Sequence, residues 1–368
     1  MSAAFRWGLL GAGDVARNFG QSVALVAGHS VAAVASRSAA RAEATAAALG
    51  EARALTDYAA LIADPAVDAV YVATPAALHA SHVALALSAG KPVLCEKPFT
   101  VTAADARDLA ALADTTGTFL MEAMWTRFIP AIQALKARIE AGEIGEVRMF
   151  QAELGFAVPY DPGNRFFNAD LGGGALLDLG IYPLSLAWHL LGPPEAGQML
   201  VGNAPNGVDA RAAISLRHAG GALAQLSCSF DQRLGNRAVV TGTKGSLALD
   251  APLFAPERIT HTRAAEATAA AAPSGTQSAG RLSGLASRHP RLIRLRRRYA
   301  PILRQIARRE RTTTAYPFPG HGYQFEAEEV ARCVRAGLSE SPVMPLAETV
   351  AIMECLETLR NEGAFGST

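Results

Sequence analysis

Phe5–Leu10 is a short apolar run that stops at Gly11, and Gly11-Ala12-Gly13-Asp14-Val15-Ala16 follows it directly, opening a helix-like stretch to about Val26. No other feature of the chain narrows its fold as far. The run is the G-x-G-x-x-A form of a dinucleotide fingerprint, set where a first strand meets a first helix. Gly11 is read as the tight turn. Gly13 brings the backbone close to a pyrophosphate, and Ala16 allows close helix–sheet packing. The helix N-terminus, through Asp14 and Val15, then offers N–H groups and a positive dipole to phosphates.

The same strand–helix alternation continues to about residue 122. Val31–Ala35, Ala69–Ala73, Pro92–Cys95 and Thr118–Glu122 read as strands. Ser38 is placed to cap an Ala-rich helix ended by Gly50, Gly90 to end the helix Ala77–Ser88, and Thr102-Ala-Ala-Asp105 to open the helix Ala103–Ala113. Repeated βα units imply a doubly wound parallel sheet, a Rossmann domain over 1–122. From about 199 to 263 the pattern turns strand-rich, with turn signals at Thr241–Gly245, and two amphipathic helices close the chain near Tyr323–Arg335 and Leu346–Arg360. The expectation is an α/β chain: the Rossmann domain, then an α+β substrate and oligomerisation domain over 123–368 with a largely antiparallel sheet.

Charge sets one segment apart. The net charge is +1, but residues 281–311 hold eleven arginines against one acid, Glu310, a local +10 that leaves −9 for the rest. Leu292, Leu295, Tyr299, Ile302, Leu303 and Ile306 recur at helix spacing there, so an amphipathic helix is expected, broken at Pro301. Packing on the chain's own acidic body or on a second subunit is the favoured reading. Contact with an anionic membrane surface is an alternative. Nucleic acid is not expected, since Tyr299 is the only aromatic residue in the segment. The four cysteines are scattered with no C-x-x-C, so neither a disulfide framework nor a metal site is expected. No export signal or uninterrupted apolar membrane span is visible, and a cytoplasmic location is expected.

Two further blocks carry chemistry. Ser36-Arg37-Ser38 ends the second strand, where a site preferring NAD would place an acid on the ribose hydroxyls. Arg37 can instead pair with a 2′-phosphate, and the serines can hydrogen-bond it, which favours NADP over NAD. Glu96-Lys97-Pro98 ends the fourth strand, on the side where such sheets bind ligands, and Pro98 restrains Lys97 towards an extended backbone. Beside an oxidised nicotinamide, Lys97 becomes a proton carrier. By itself the triplet reads first as a surface lysine paired with Glu96. Asp178 and Tyr182, four apart in a helix-like run, share a face and could bracket a substrate hydroxyl.

These blocks together resemble the glucose–fructose oxidoreductase / inositol dehydrogenase family, and within it the dihydrodiol dehydrogenase and NADP-dependent xylose dehydrogenase branch. The matching segments run in order along nearly the whole chain: 7–16, 34–38, 70–79, 93–99, 121–128, 172–183 and 340–349. The resemblance implies that Lys97 and Tyr182 form a proton-transfer pair with Asp178 positioning the substrate. It implies that Ala73, Thr74, Pro75, His79 and Glu96 line the cofactor pocket, and that Trp125 and Arg127 close over the dinucleotide. It further implies hydride transfer to or from a pyranose or trans-dihydrodiol, and a homodimer paired through the second sheet. NAD-linked glycoside hydrolysis and a non-catalytic NADP-dependent sensor remain alternatives within the family. The pattern is interrupted at about 263–314, so the basic segment reads as an insertion.

Overall fold

In the computed structural model, residues 4–264 and 311–366 are described. The first half builds a six-stranded sheet from β1 (Phe5–Leu10), β2 (His29–Ala35), β3 (Arg53–Leu55), β4 (Ala69–Val72), β5 (Val93–Glu96) and β6 (Leu120–Ala123). All pairs are parallel, in the order β3-β2-β1-β4-β5-β6. Strands β4, β5 and β6 are mostly apolar and buried along their whole length, as a sheet covered on both faces requires. The covering helices are α1 (Asp14–Val23), α2 (Ala39–Ala48), α3 (Tyr58–Ala63), α4 (His79–Ser88) and α5 (Ala103–Thr116). Both expected caps are present: Ser38 accepts from Arg41 N and Thr102 from Asp105 N. The strand order reverses between β1 and β4, which opens the ligand crevice at their carboxyl ends.

After α6 (Pro130–Glu140) the chain builds a nine-stranded sheet. Its strands are β7 (Val147–Gly155), β8 (Pro194–Asn203), β9 (Asp209–His218), β10 (Leu223–Ser229), β11 (Ala238–Gly242), β12 (Gly245–Leu249), β13 (Arg258–Arg263), β14 (Arg311–Ala315) and β15 (Ala364–Phe365). The order is β14-β13-β12-β11-β7-β10-β9-β8-β15, antiparallel except for the central β7–β10 pair. The helical stretch Ala169–Leu191, ending in α7 (Ile181–Leu191), is long and apolar enough to cross a membrane. Here it is core, 72% buried, with Gly180 packed close against Cys228 of β10.

Two C-terminal helices return to the first sheet. Tyr323 of α8 (Tyr323–Arg335) sets its ring edge against Phe19 of α1. Along α9 (Leu346–Glu362), Glu354 pairs with Arg107 of α5 and Glu357 accepts from Ala103 N. The strands either side of the basic segment are neighbours, with Thr262 opposite Arg311. The helix expected within 281–311 lies outside the described residues.

Candidate active site

The glycine loop has the geometry that a dinucleotide needs. Gly11 has φ +113°, and a Cβ there would meet the Ala73 carbonyl oxygen at 2.5 Å, so only glycine fits between β1 and β4. A Cβ on Gly13 would point into open space. The N-terminus of α1 has no side-chain cap, and Gly13, Asp14 and Val15 are exposed. Unclaimed N–H groups above an open cradle fit a pyrophosphate. Ala16 is fully buried against the sheet, as expected.

Register sets the rest of the crevice. Leu10 is level with Ala35 of β2 and Val72 of β4, and Ala35 is level with Leu55 of β3. The segments Ser36-Arg37-Ser38 and Ala73-Thr74-Pro75 therefore leave the sheet on either side of the glycine loop. Ser36 accepts from Ser38 N, while Arg37 is exposed and its guanidinium has no partner among the described residues. His79 is completely enclosed instead of facing the crevice. Its Nε2 lies 2.8 Å from the Thr74 carbonyl oxygen and its Nδ1 2.9 Å from that of Pro98, so it ties the β4 loop to the Lys97 loop.

Lys97 follows β5, and its peptide bond to Pro98 is cis. Its Nζ donates to Asp178 Oδ1 at 3.0 Å and to the Asp178 carbonyl at 2.9 Å, and stands 4.8 Å from the centroid of the Tyr182 ring. Asp178 lies in a π-helical turn, Leu176–Gly180, and Tyr182 in the α7 turn that follows, so the shared face holds across an irregularity. Burial pushes the Asp178 carboxyl up, but Lys97 and Arg165 outweigh it and hold it below its ordinary range. The expected bracket around a substrate is thus first a clamp on the lysine. Trp125 donates from Nε1 to the Tyr182 hydroxyl at 3.2 Å. Burial first, and then the Glu96 and Asp178 carboxyls, keep the Tyr182 phenol well above its usual range against this bond.

Arg127 departs from expectation. It is 1% exposed, and its guanidinium donates to Ser185 Oγ, to the Ser185 and Val343 carbonyls and to Glu348. Four of its five fixed donors are matched in the interior, which makes the side chain a brace between elements rather than a group that reaches across a cofactor. Trp125, with its ring tilted against those of Tyr323 and Phe254, forms the wall of the site without it.

Behind the crevice lies a set of carboxyls, of which the sequence pointed only to Glu96, and to that as a cofactor contact. Glu96 accepts from the Tyr71 hydroxyl and from Lys97 N, and burial raises its carboxyl to about 7. Burial raises Glu122 likewise to about 7. Glu326 on α8 is fully enclosed with neither carboxyl oxygen partnered among the described residues, and burial holds it well above the usual range. Nothing in the sequence signalled Tyr71 or Glu326. Both sit in runs whose pattern fits an ordinary strand or helix.

Two family models match the chain. An oxidoreductase family with an NAD-binding Rossmann fold covers residues 5–124, and the GFO/IDH/MocA C-terminal domain covers 132–248. The chain belongs to the Gfo/Idh/MocA family. It is an NAD(P)-dependent dehydrogenase acting on CH–OH groups. Trans-1,2-dihydrobenzene-1,2-diol dehydrogenase of Mus musculus is 34% identical over 99% of this chain and 98% of its own. D-xylose 1-dehydrogenase (NADP(+)) of Hypocrea jecorina is 36% identical over 83% of this chain and 75% of its own. Among solved structures, a 3-ketoreductase from Actinomadura kijaniata in complex with NADP and TDP-benzene superposes with a TM-score of 0.76 at 25% identity, covering 98% of both chains. The family assignment agrees with the parallel sheet and the glycine cradle, which stand on their own geometry.

Proposed function

We propose that this family member is a cytoplasmic NADP-dependent dehydrogenase that transfers hydride between the nicotinamide and a hydroxyl-bearing carbon of a pyranose or a trans-dihydrodiol. The observation that carries the reading is Lys97, held by Asp178 and lying over the Tyr182 ring at the carboxyl end of β5. The cofactor, when bound, supplies the redox chemistry. The chain's residues handle the proton. The buried Tyr182 phenol is protonated, so in reduction it gives its proton to the carbonyl oxygen. Lys97 offsets the phenolate charge left behind, and Trp125 Nε1–H stays bonded to that oxygen. Oxidation runs the same path backwards, the substrate hydroxyl returning its proton to the phenolate. Asp178 is a positioning residue, since it fixes the ammonium that does this work.

Preference for NADP rests on Arg37, a cation exposed and without a partner among the described residues, where an acid would mark NAD. The curated relatives named for diol and NADP-linked xylose oxidation support the substrate class. A homodimer through the outer face of the second sheet is supported by Leu200 and Leu223, exposed there by 80% and 45%. A screen of aldoses, inositols and trans-dihydrodiols for NADPH absorbance tests the reading. Stoichiometric NADPH with one of these is the expected result. Glycoside hydrolysis without net reduction, or NADP binding with no turnover on any of them, would overturn it.

A further inference from the structure

We infer that His82 is a specificity residue that forms, with Arg37, the pocket for the 2′-phosphate of NADP. The inference rests on the NADP reading above and deepens it. His82 is the fourth residue of α4, yet its ring reaches across the carboxyl edge of the sheet. Its Nδ1 lies 3.0 Å from Thr74 Oγ1, two residues beyond β4. Its ring edge packs on Tyr58, three residues beyond β3, with centroids 4.8 Å apart. The order β3-β2-β1-β4 places the end of β2, and with it Arg37, between those two contacts. His82 and Arg37 thus face one place from adjacent elements.

Among the described residues, no carboxylate is recorded against that place. The titratable groups facing His82 are Arg37 from the loop after β2, Tyr58 from α3 and His79 from its own helix. None is an acid. Burial, and then the Arg37 charge, hold the imidazole below its ordinary basicity. Two basic groups set together without a carboxylate are unfavourable in the free protein and favourable around a dianion. Thr74 supplies the orientation. When its hydroxyl donates to Nδ1, the ring proton sits on Nε2, which has no protein partner among the described residues and is a free donor. A phosphate dianion there stabilises the imidazolium, so NADP binding takes up a proton at neutral pH and NAD binding does not.

The test is isothermal titration of NADP+ and NAD+ into the wild type, His82→Gln and Arg37→Ala. It is run at about pH 7 to 9, where the 2′-phosphate (second pKa about 6) stays a dianion, and in buffers of different ionisation enthalpy to count protons. His82→Gln should weaken NADP+ by about ten-fold or more while NAD+ changes by less than about two-fold. The unchanged NAD+ affinity doubles as the folding control. Proton uptake on NADP+ binding should disappear in the variant, and wild-type selectivity should fall as pH rises. Equal weakening of both cofactors would place His82 on the shared adenosine and overturn the inference. So would an unchanged NADP+/NAD+ ratio. If Arg37→Ala lowers the ratio and His82→Gln does not, the NADP reading stands and only the role of His82 is lost. A wild type without preference would remove both.

Discussion

Glu122 offers a direct measure of how the interior behind the site treats charge. Its carboxyl is 1% exposed, and Oε1 has no hydrogen-bond partner among the described residues. Burial raises it from 4.5 to about 7, with the charge of Arg127 opposing and that of Glu96 adding. Between those two values the folded chain keeps a proton that the unfolded chain has lost, so stability falls as pH rises through this window. At about 1.4 kcal/mol per decade, ionising Glu122 in place costs about 3 kcal/mol by pH 7 and above. Gln at 122 is neutral throughout and nearly isosteric. The variant should match the wild type at pH 5 and exceed it by up to about 3 kcal/mol at pH 8. Some of that gain returns through Glu96, which ionises more readily once its neighbour is neutral. Urea unfolding at pH 5, 6, 7 and 8, followed by fluorescence, reads the difference. The buried histidines, held low by burial, tilt the curve the other way but act on both proteins and cancel. A difference that stays flat with pH, or that favours the wild type at pH 8, would refute the placement of a neutral carboxyl there.

Three further outcomes follow from the same structure. Tyr182→Phe and Lys97→Met should each lower turnover about 10²- to 10⁴-fold while NADP+ affinity in fluorescence titration is retained, because both act on the proton; near-normal turnover in both would sink the mechanism. Arg127→Met should cost about 3–5 kcal/mol in urea unfolding by stranding Glu348 and buried acceptors, with the NADP+ KM of the surviving folded fraction unchanged. Replacing residues 265–310 by a short turn should leave turnover unchanged, since Thr262 and Arg311 are already paired neighbours; sedimentation of wild type and variant with anionic vesicles at low and high salt then reads any membrane contact of the basic segment.

The sequence was most legible where burial and backbone chemistry act alone. β4 is an unbroken apolar run, and β1 and β5 are nearly so, because both faces are covered, and Ser38 and Thr102 cap the helices whose first turns they precede. β3 escaped notice because its three residues include exposed Arg53 and Ala54 and show no pattern. β8 is not legible as a separate strand because Gly197 and Gly202 interrupt its alternation. Those glycines make room for others: a Cβ at 197 would meet the Phe365 ring at 2.5 Å, and one at 202 would meet the Arg211 side chain at 2.6 Å. In the site, Lys97, Asp178 and Tyr182 could be picked out by type and spacing. The hydrogen bonds that give them their roles join residues 57 and 81 positions apart, which no local pattern encodes. Arg127 illustrates the converse. The family resemblance suggested a ligand contact, and only its buried partners reveal a brace.

The adjacency of Glu96 and Lys97 sorts charge at the site. Successive residues at a strand end point to opposite sides, so Glu96 turns inward to Tyr71 while Lys97 turns out to Asp178. Inside, burial lifts the Glu96 carboxyl towards neutrality, which weakens its hold on the neighbouring ammonium. Asp178, kept ionised, takes that ammonium and holds it over the Tyr182 ring. Had Glu96 faced the crevice, the lysine would have had a partner one residue away and no reason to cross to α7. The surface pair that an E-K-P triplet suggests by itself is avoided by burying one member of it, and the proton-transfer geometry depends on that separation.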